Sequence, residues 1–169
     1  GNELLVEQIR VNGSQIELVV GFDLKKVPLQ LKFDFQELEC DLAWKLVDRL
    51  YAYDGNDLGC AMNSSQSASL KLWAPKAEAV SLLIFDRNDQ TRQLVEKAMS
   101  YEDKGVWYAE VNATDLPDVD ELSGYYYQYE VKNPGKDPVR VLDPYARSMA
   151  AVTVSPDGTD AGSSLDSIG

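Results

Sequence analysis

A chain of 169 residues with 44% apolar content can bury a real core, and its 28 acidic against 16 basic residues leave a net charge of −12. That charge repels phosphate backbones and anionic headgroups, so neither nucleic acid nor membrane is an expected partner, while neutral sugars and proteins remain. Histidine is absent, which removes the commonest general base, the commonest nitrogen ligand for metals and any imidazole-dependent triad.

The first fifty residues read as a small β unit followed by a helical or irregular link. Leu5 to Val11 and Ile16 to Val20 flank Asn12-Gly13, a dipeptide suited to the positive φ angles of a type I′ hairpin turn. Asp23 to Val27 is a polar connection. Leu29, Leu31, Phe33 and Phe35 then alternate with polar residues, which predicts a strand with one buried face. Leu38, Leu42, Leu46 and Leu50 fall four apart around Trp44 and Val47, the spacing of one side of an amphipathic helix. Residues 1–50 are few for an independent core and are expected to belong to a preceding accessory domain.

From Tyr51 the texture changes. Asp54-Gly55-Asn56-Asp57 and Gly59 make a turn-rich lead-in, and Asn63 to Ser67 a polar hairpin tip. Leu70, Leu72 and Ala74 alternate with Ser69, Lys71 and Trp73 until Pro75, which cannot donate to a ladder, ends the strand. Further strands are predicted at Val80 to Phe85, Arg92 to Met99, Val106 to Val111 and Tyr125 to Val131, with Asp86 to Asp89 and Leu116 to Ser123 as connections. Repeated strands at this spacing with few helix signals indicate an all-β sandwich over residues 51–150. The serine-, glycine- and aspartate-rich stretch at 151–169 has linker composition. It is expected to be mobile and to lead to a further domain.

Targeting and redox signals are few. Leu4 to Val6 is too short for the apolar core of a signal peptide, no run approaches membrane-spanning length, and Gly1-Asn2 reads as a cleaved start. Cys40 and Cys60 are too few for a zinc site, and sequence alone leaves open whether they pair. Cytoplasmic and exported bacterial locations both stay open.

Paired carboxylates occur at Asp54 with Asp57, at Asp86 with Asp89, and at Asp118 with Asp120 and Glu121. Two carboxylates are the machinery of glycosidases. These sit in turns without the apolar surroundings that raise a carboxyl pKa, so they read as solvated loop charge. Calcium would suit the oxygens of Asp54 to Asp57, yet the spacing of an EF-hand is missing.

Aromatic residues are the more informative class. Tyr125, Tyr127, Tyr129 and Val131 share one strand face, and Tyr126, Gln128 and Glu130 the other. One face must be core, and a tyrosine row left outside can stack on sugar rings. Trp107 shares a face with Ala109 and Val111, which predicts burial, while Tyr108 points the other way. Trp73 is out of phase with Leu70 and Leu72 and is expected to bury against a neighbouring domain.

Five phrases then come in a fixed order: Tyr51 to Gly59, Leu70 to Asp86, Gly105 to Val111, Gly124 to Val131 and Val141 to Ala150. Together they resemble the region ahead of the catalytic barrel in type I pullulanases, which contains a carbohydrate-binding module of family 48. Related modules occur in isoamylases, glycogen-branching enzymes and the β subunit of AMP-activated kinase. The resemblance implies an immunoglobulin-like β-sandwich and a parent of the α-amylase superfamily, glycoside hydrolase family 13. Such a parent cuts α-1,6 bonds in pullulan, amylopectin or glycogen with an aspartate nucleophile and a glutamate acid/base. None of those catalytic motifs is present in this chain, so they are expected beyond Gly169, and any calcium would belong to the parent rather than to this region.

The same resemblance bears on sugar binding. Glycogen-binding members use two tryptophans and a lysine. Here Phe85 to Asp89 holds no tryptophan, Gln128 stands where the lysine would, and Arg140 stands at the second tryptophan. With Tyr108 and Tyr126 these form the candidate carbohydrate contacts. The expectation is that the sandwich orients the catalytic barrel through Trp73, Pro75, Asp143, Pro144 and Tyr145 rather than capturing starch. A working α-glucan-binding module and a protein-interaction sandwich are the alternatives.

Overall fold

A computed structural model describes residues 3–22, 29–34, 36–41, 43–151 and 167–168. The chain divides into one unit over Gly1–Ala43 and a larger one over Trp44–Gly169.

The first unit contains two hairpins. Strands β1 (Val6–Asn12) and β2 (Gln15–Val20) pair antiparallel with Asn12 opposite Gln15. The loop is therefore Gly13-Ser14 rather than Asn12-Gly13, and positive φ falls on Gly13 alone. That is the arrangement of a type II′ turn, whose first central position needs glycine, and not of the expected type I′. Strands β3 (Leu29–Phe33) and β4 (Gln36–Cys40) form the second hairpin. Leu29 and Leu31 are half-buried, but Phe33 is exposed, so the predicted buried face does not extend the length of the strand. Phe35 and the Asp23 to Val27 connection lie outside the described residues.

The predicted leucine helix is shorter than its spacing implied. Leu38 belongs to β4, Leu42 lies outside the described residues, and α1 covers only Trp44–Leu50. Val47 is its buried residue, while Trp44, Leu46 and Leu50 are exposed. A four-residue leucine period is a local signal, and the pairing of Leu38 with Leu31 across a hairpin overrides it.

The larger unit is the sandwich. One sheet runs in the order β5 (Gly59–Met62), β6 (Ser67–Trp73), β10 (Val106–Asn112) and β9 (Ser100–Tyr101). The other runs β12 (Val139–Val141), β11 (Tyr126–Lys132), β7 (Ala79–Phe85) and β8 (Gln93–Ala98). Every pairing is antiparallel. Side chains alternate across each strand, so Ala68, Leu70, Leu72, Trp107, Ala109 and Val111 of the first sheet meet Val80, Leu82, Ile84 and Tyr129 of the second. Trp107 is buried as its phase predicted, edge-on to Tyr101 at 5.5 Å. Past the second sheet, β13 (Ala150–Ala151) pairs with β14 (Ser167–Ile168).

The Trp73-Ala74-Pro75 turn is braced by both neighbouring indoles. Trp107 donates its Nε1–H to the Ala74 carbonyl at 3.0 Å, and Trp73 donates to the carbonyls of Tyr51 at 3.0 Å and Lys104 at 3.1 Å. Gly105 closes this contact: a Cβ there would lie 2.6 Å from Pro75 Cα and Cβ. The facing turn from Asp103 to Val106, which joins β9 to β10, carries positive φ at Lys104 (49°) and Gly105 (80°), as a type I′ connection requires.

Candidate functional site

The strand registers sort the candidate sugar contacts onto two different faces. On the second sheet Tyr126 stands opposite Phe85, Gln128 opposite Leu83, and Arg140 opposite Glu130, all pointing away from the core. Tyr108 stands opposite Lys71 on the outer face of the first sheet. Tyr126, Gln128 and Arg140 are thus brought together, and Tyr108 is not part of their face.

The Tyr126 face has an apolar floor that strand alternation alone does not predict. Leu83 and Phe85 point outward yet are only 1% and 3% exposed. Tyr126 packs against both, the Arg140 guanidinium lies 6.0 Å above the Phe85 ring, and Arg140 Nη2 donates to Gln93 Oε1 at 3.2 Å. The sequence signal for this floor is the unbroken run Leu82-Leu83-Ile84-Phe85, which belongs to a strand covered on both faces. A half-buried tyrosine, a planar guanidinium and two amides can stack on a pyranose and bond its hydroxyls. Much of this chemistry is already engaged within the chain.

On the opposite face the lead-in from Tyr51 lies over the first sheet. Tyr53 donates its hydroxyl to Asp57 Oδ1 at 2.5 Å, and Lys71 Nζ meets Asp57 Oδ2 at 2.9 Å and Glu102 Oε2 at 3.2 Å. The hydrogen bonds from Tyr53 and Lys71 hold the Asp57 carboxyl below its ordinary range, and the bond to Asp57 holds the Lys71 ammonium above its own. Lys71 also sits 5.9 Å above the Tyr108 ring. Asp57 is therefore occupied by a cation of the chain itself. Among the described residues no cluster of acidic and thiol side chains is grouped as a metal site would need.

The residues expected at an interdomain edge separate by burial. Trp73 and Pro75 are half-buried, covered by Tyr51 and the 103–105 turn of their own chain. Asp143 is 2% exposed, whereas Pro144 and Tyr145 are exposed. Asp143 Oδ2 accepts hydrogen bonds from the hydroxyls of Tyr127 at 2.7 Å and Tyr129 at 3.2 Å, and Oδ1 accepts the Tyr145 amide at 2.8 Å. Burial is the main cause that pushes both phenols far above their ordinary pKa, with Asp143 adding to it. Burial also pushes the Cys60 thiol up; Asp143 reinforces that shift and Arg147 opposes it. Cys40 and Cys60 are both free thiols.

Between the sheets, beside β5, a cavity of about 90 Å³ is lined by Cys60, Met62, Leu122, Tyr125, Tyr126 and Tyr127 among others. Small-molecule pockets usually measure roughly 300 Å³ or more. A sugar would have to lie on a face rather than enter this cavity.

Known proteins fit this geometry. The chain is 29% identical over 153 residues to Pullulanase A of Streptococcus pneumoniae serotype 4, covering 89% of this chain and 12% of that protein. It superposes on the crystal structure of the Group B Streptococcus pullulanase with a TM-score of 0.76 and 30% identity, over 88% of this chain and 19% of that one. A structure of the same pullulanase in complex with maltotetraose matches with a TM-score of 0.75 and 30% identity, over 89% of this chain and 19% of that one. The chain thus spans a small part of each relative's length. The carbohydrate-binding module 48 profile, the isoamylase N-terminal domain, matches residues 57–146, which are the sandwich from its lead-in to the turn after Asp143. By this match and this fold, the chain belongs to the carbohydrate-binding module 48 family.

Proposed function

We propose that this chain is a non-catalytic accessory region of a pullulanase-type debranching enzyme, and that its sandwich packs on the catalytic barrel and orients it. The longer protein would hydrolyse α-1,6-glucosidic bonds in pullulan, amylopectin or glycogen. The reading assigns no cofactor to the sandwich. One observation carries it: the outer face that would hold glucan covers its own apolar floor with Tyr126 and Arg140, while apolar side chains stand open at Tyr145 and Met149.

A second reading makes the Tyr126, Gln128 and Arg140 face a working α-glucan contact. Family membership and the planar Arg140 and Tyr126 groups favour it. Native gels cast with glycogen separate the two. Mobility equal to that in a glycogen-free gel supports the orienting role; retardation that disappears in Arg140→Ala supports the glucan contact.

A further inference from the structure

The asparagines of the chain differ in what holds the amide that follows each of them. Asn12 pairs with Gln15, so the closing hydrogen bonds of the first hairpin run between these two residues and the Gly13 N–H lies outside the ladder. Gly13 is exposed, carries a φ of +60°, and has nothing within 4 Å of an added Cβ. Strand β1 is exposed along its whole length, and a two-stranded ribbon opens readily at its turn.

Elsewhere the corresponding amide is engaged or crowded. The Ser64 amide after Asn63 donates to the Ser67 carbonyl at 3.1 Å, and Asn63 Oδ1 accepts from Ser69 Oγ at 3.3 Å. The Ala113 amide after Asn112 donates to the Gln66 carbonyl at 2.8 Å. Asn133 precedes proline, which has no N–H, and Asn56 and Asn88 precede aspartate, whose side chain crowds the approach. Asp54 also precedes a glycine, but the Tyr53 ring lies over Gly55.

We propose that Asn12 is a site of spontaneous deamidation, and that the product resets the β1–β2 hairpin. The Gly13 nitrogen attacks Asn12 Cγ; the N–Cγ bond forms, the bond from Cγ to the amide nitrogen breaks, and ammonia leaves with the Gly13 proton. Water then opens the cyclic imide at either carbonyl. One product is aspartate. In the other, isoaspartate, the main chain runs through Cβ and is longer by one carbon. Both products place a new carboxylate at the hairpin tip. Only isoaspartate lengthens the chain at the residue whose pairing with Gln15 sets the register of Val11 with Ile16 and Ile9 with Leu18.

The test is to age the protein in mildly alkaline buffer, with and without guanidinium chloride, and to map its peptides by mass spectrometry. In buffer the Asn12 peptide should gain the mass of an NH2-to-OH exchange and resolve into aspartate and isoaspartate forms, while Asn63 and Asn112 persist. Unfolding releases the Ser64 and Ala113 amides, so it should speed Asn63 and Asn112 by about tenfold or more and Asn12 by less than about threefold. Persistence of Asn12 in buffer would overturn the proposal. So would equal acceleration of Asn12 and Asn63 on unfolding, because the hairpin would then be shielding the site. Asn12→Gln, whose carbonyl is one carbon too far for the same ring, should abolish the change; a mass gain that survives in that peptide would place the reaction elsewhere. The register effect is read by hydrogen exchange, with Asn12→Asp carrying the charge alone. The isoaspartate form should exchange the amides of β1 and β2 about tenfold faster than Asn12→Asp, and equal rates would overturn the resetting of the hairpin.

Discussion

Gly59 lies so close beneath Tyr145 that a Cβ on the glycine would sit 2.9 Å from Tyr145 Cβ and 3.1 Å from its carbonyl oxygen, at a φ of +92°. The lead-in phrase and the final phrase of the sandwich, far apart in sequence, are thus pressed together at one edge. Gly59 pairs with Lys71, two residues from Trp73, so Tyr145 and Trp73 lie toward the same end of the first sheet. Gly59→Ala must adopt a left-handed conformation and displace backbone, which should cost about 2–4 kcal/mol in a denaturant titration.

Glycines with similar φ but different surroundings separate strain from crowding. Gly135→Ala meets open space and should cost about 1 kcal/mol. Gly105→Ala would drive a methyl into the Pro75 backbone at 2.6 Å, so its cost should exceed that of Gly135→Ala by about 1–3 kcal/mol. Equal losses in chemical denaturation would contradict the close packing of these two turns.

Lys104 holds a φ of 49° that asparagine and glycine adopt more readily. Its own contribution to the turn is through the backbone, whose carbonyl accepts from Trp73. Lys104→Asn should therefore stabilise the sandwich by up to about 1 kcal/mol, seen as a raised thermal midpoint.

Tyr126 gives a test of what its face is for. As the cover of Leu83 and Phe85, its removal in Tyr126→Ala should cost about 1–3 kcal/mol of stability. Migration in glycogen gels, relative to glycogen-free gels, should match wild type. A large loss of glycogen retardation without loss of stability would assign the residue to sugar binding.

The pH dependence should be flat near neutrality, since there is no histidine to titrate. Asp57 and Asp115 have depressed pKa values, led by hydrogen bonds from Tyr53 and Lys97 respectively. Their stabilisation is present above the ordinary carboxylate pKa and is lost as pH falls through the lowered values. Both are partly exposed, so each contributes less than about 1 kcal/mol. Lys71 has a raised pKa, so its contribution is complete below the ordinary lysine value and is lost only as pH climbs beyond it. Replacing Asp57 and Asp115 with asparagine should flatten the fall in denaturation midpoint between about pH 5 and about pH 3.

The sandwich was legible where a strand carries its own alternation. Ser69, Lys71 and Trp73 against Leu70 and Leu72 gave both the strand and its faces. Strand β5 was not legible, because Gly59-Cys60-Ala61-Met62 is short and its small residues carry little period. The extent of α1 was misjudged because leucine spacing cannot show that Leu38 pairs across a hairpin. Of the candidate site, the isolation of Tyr108 follows only from which strands are neighbours. The role of Asp143 was hidden more deeply. An Asp-Pro pair reads as a turn, and its burial comes from tyrosines fourteen and sixteen residues upstream.

The most direct test is the release of new reducing ends from pullulan by the full-length protein. The account predicts hydrolysis of the α-1,6 bonds, unchanged when Asp54, Asp57, Asp86 and Asp89 are replaced together by asparagine, since no catalytic group lies in those loops. A full-length protein inert on pullulan, or one whose activity disappears with those loop carboxylates while the fold persists, would contradict it.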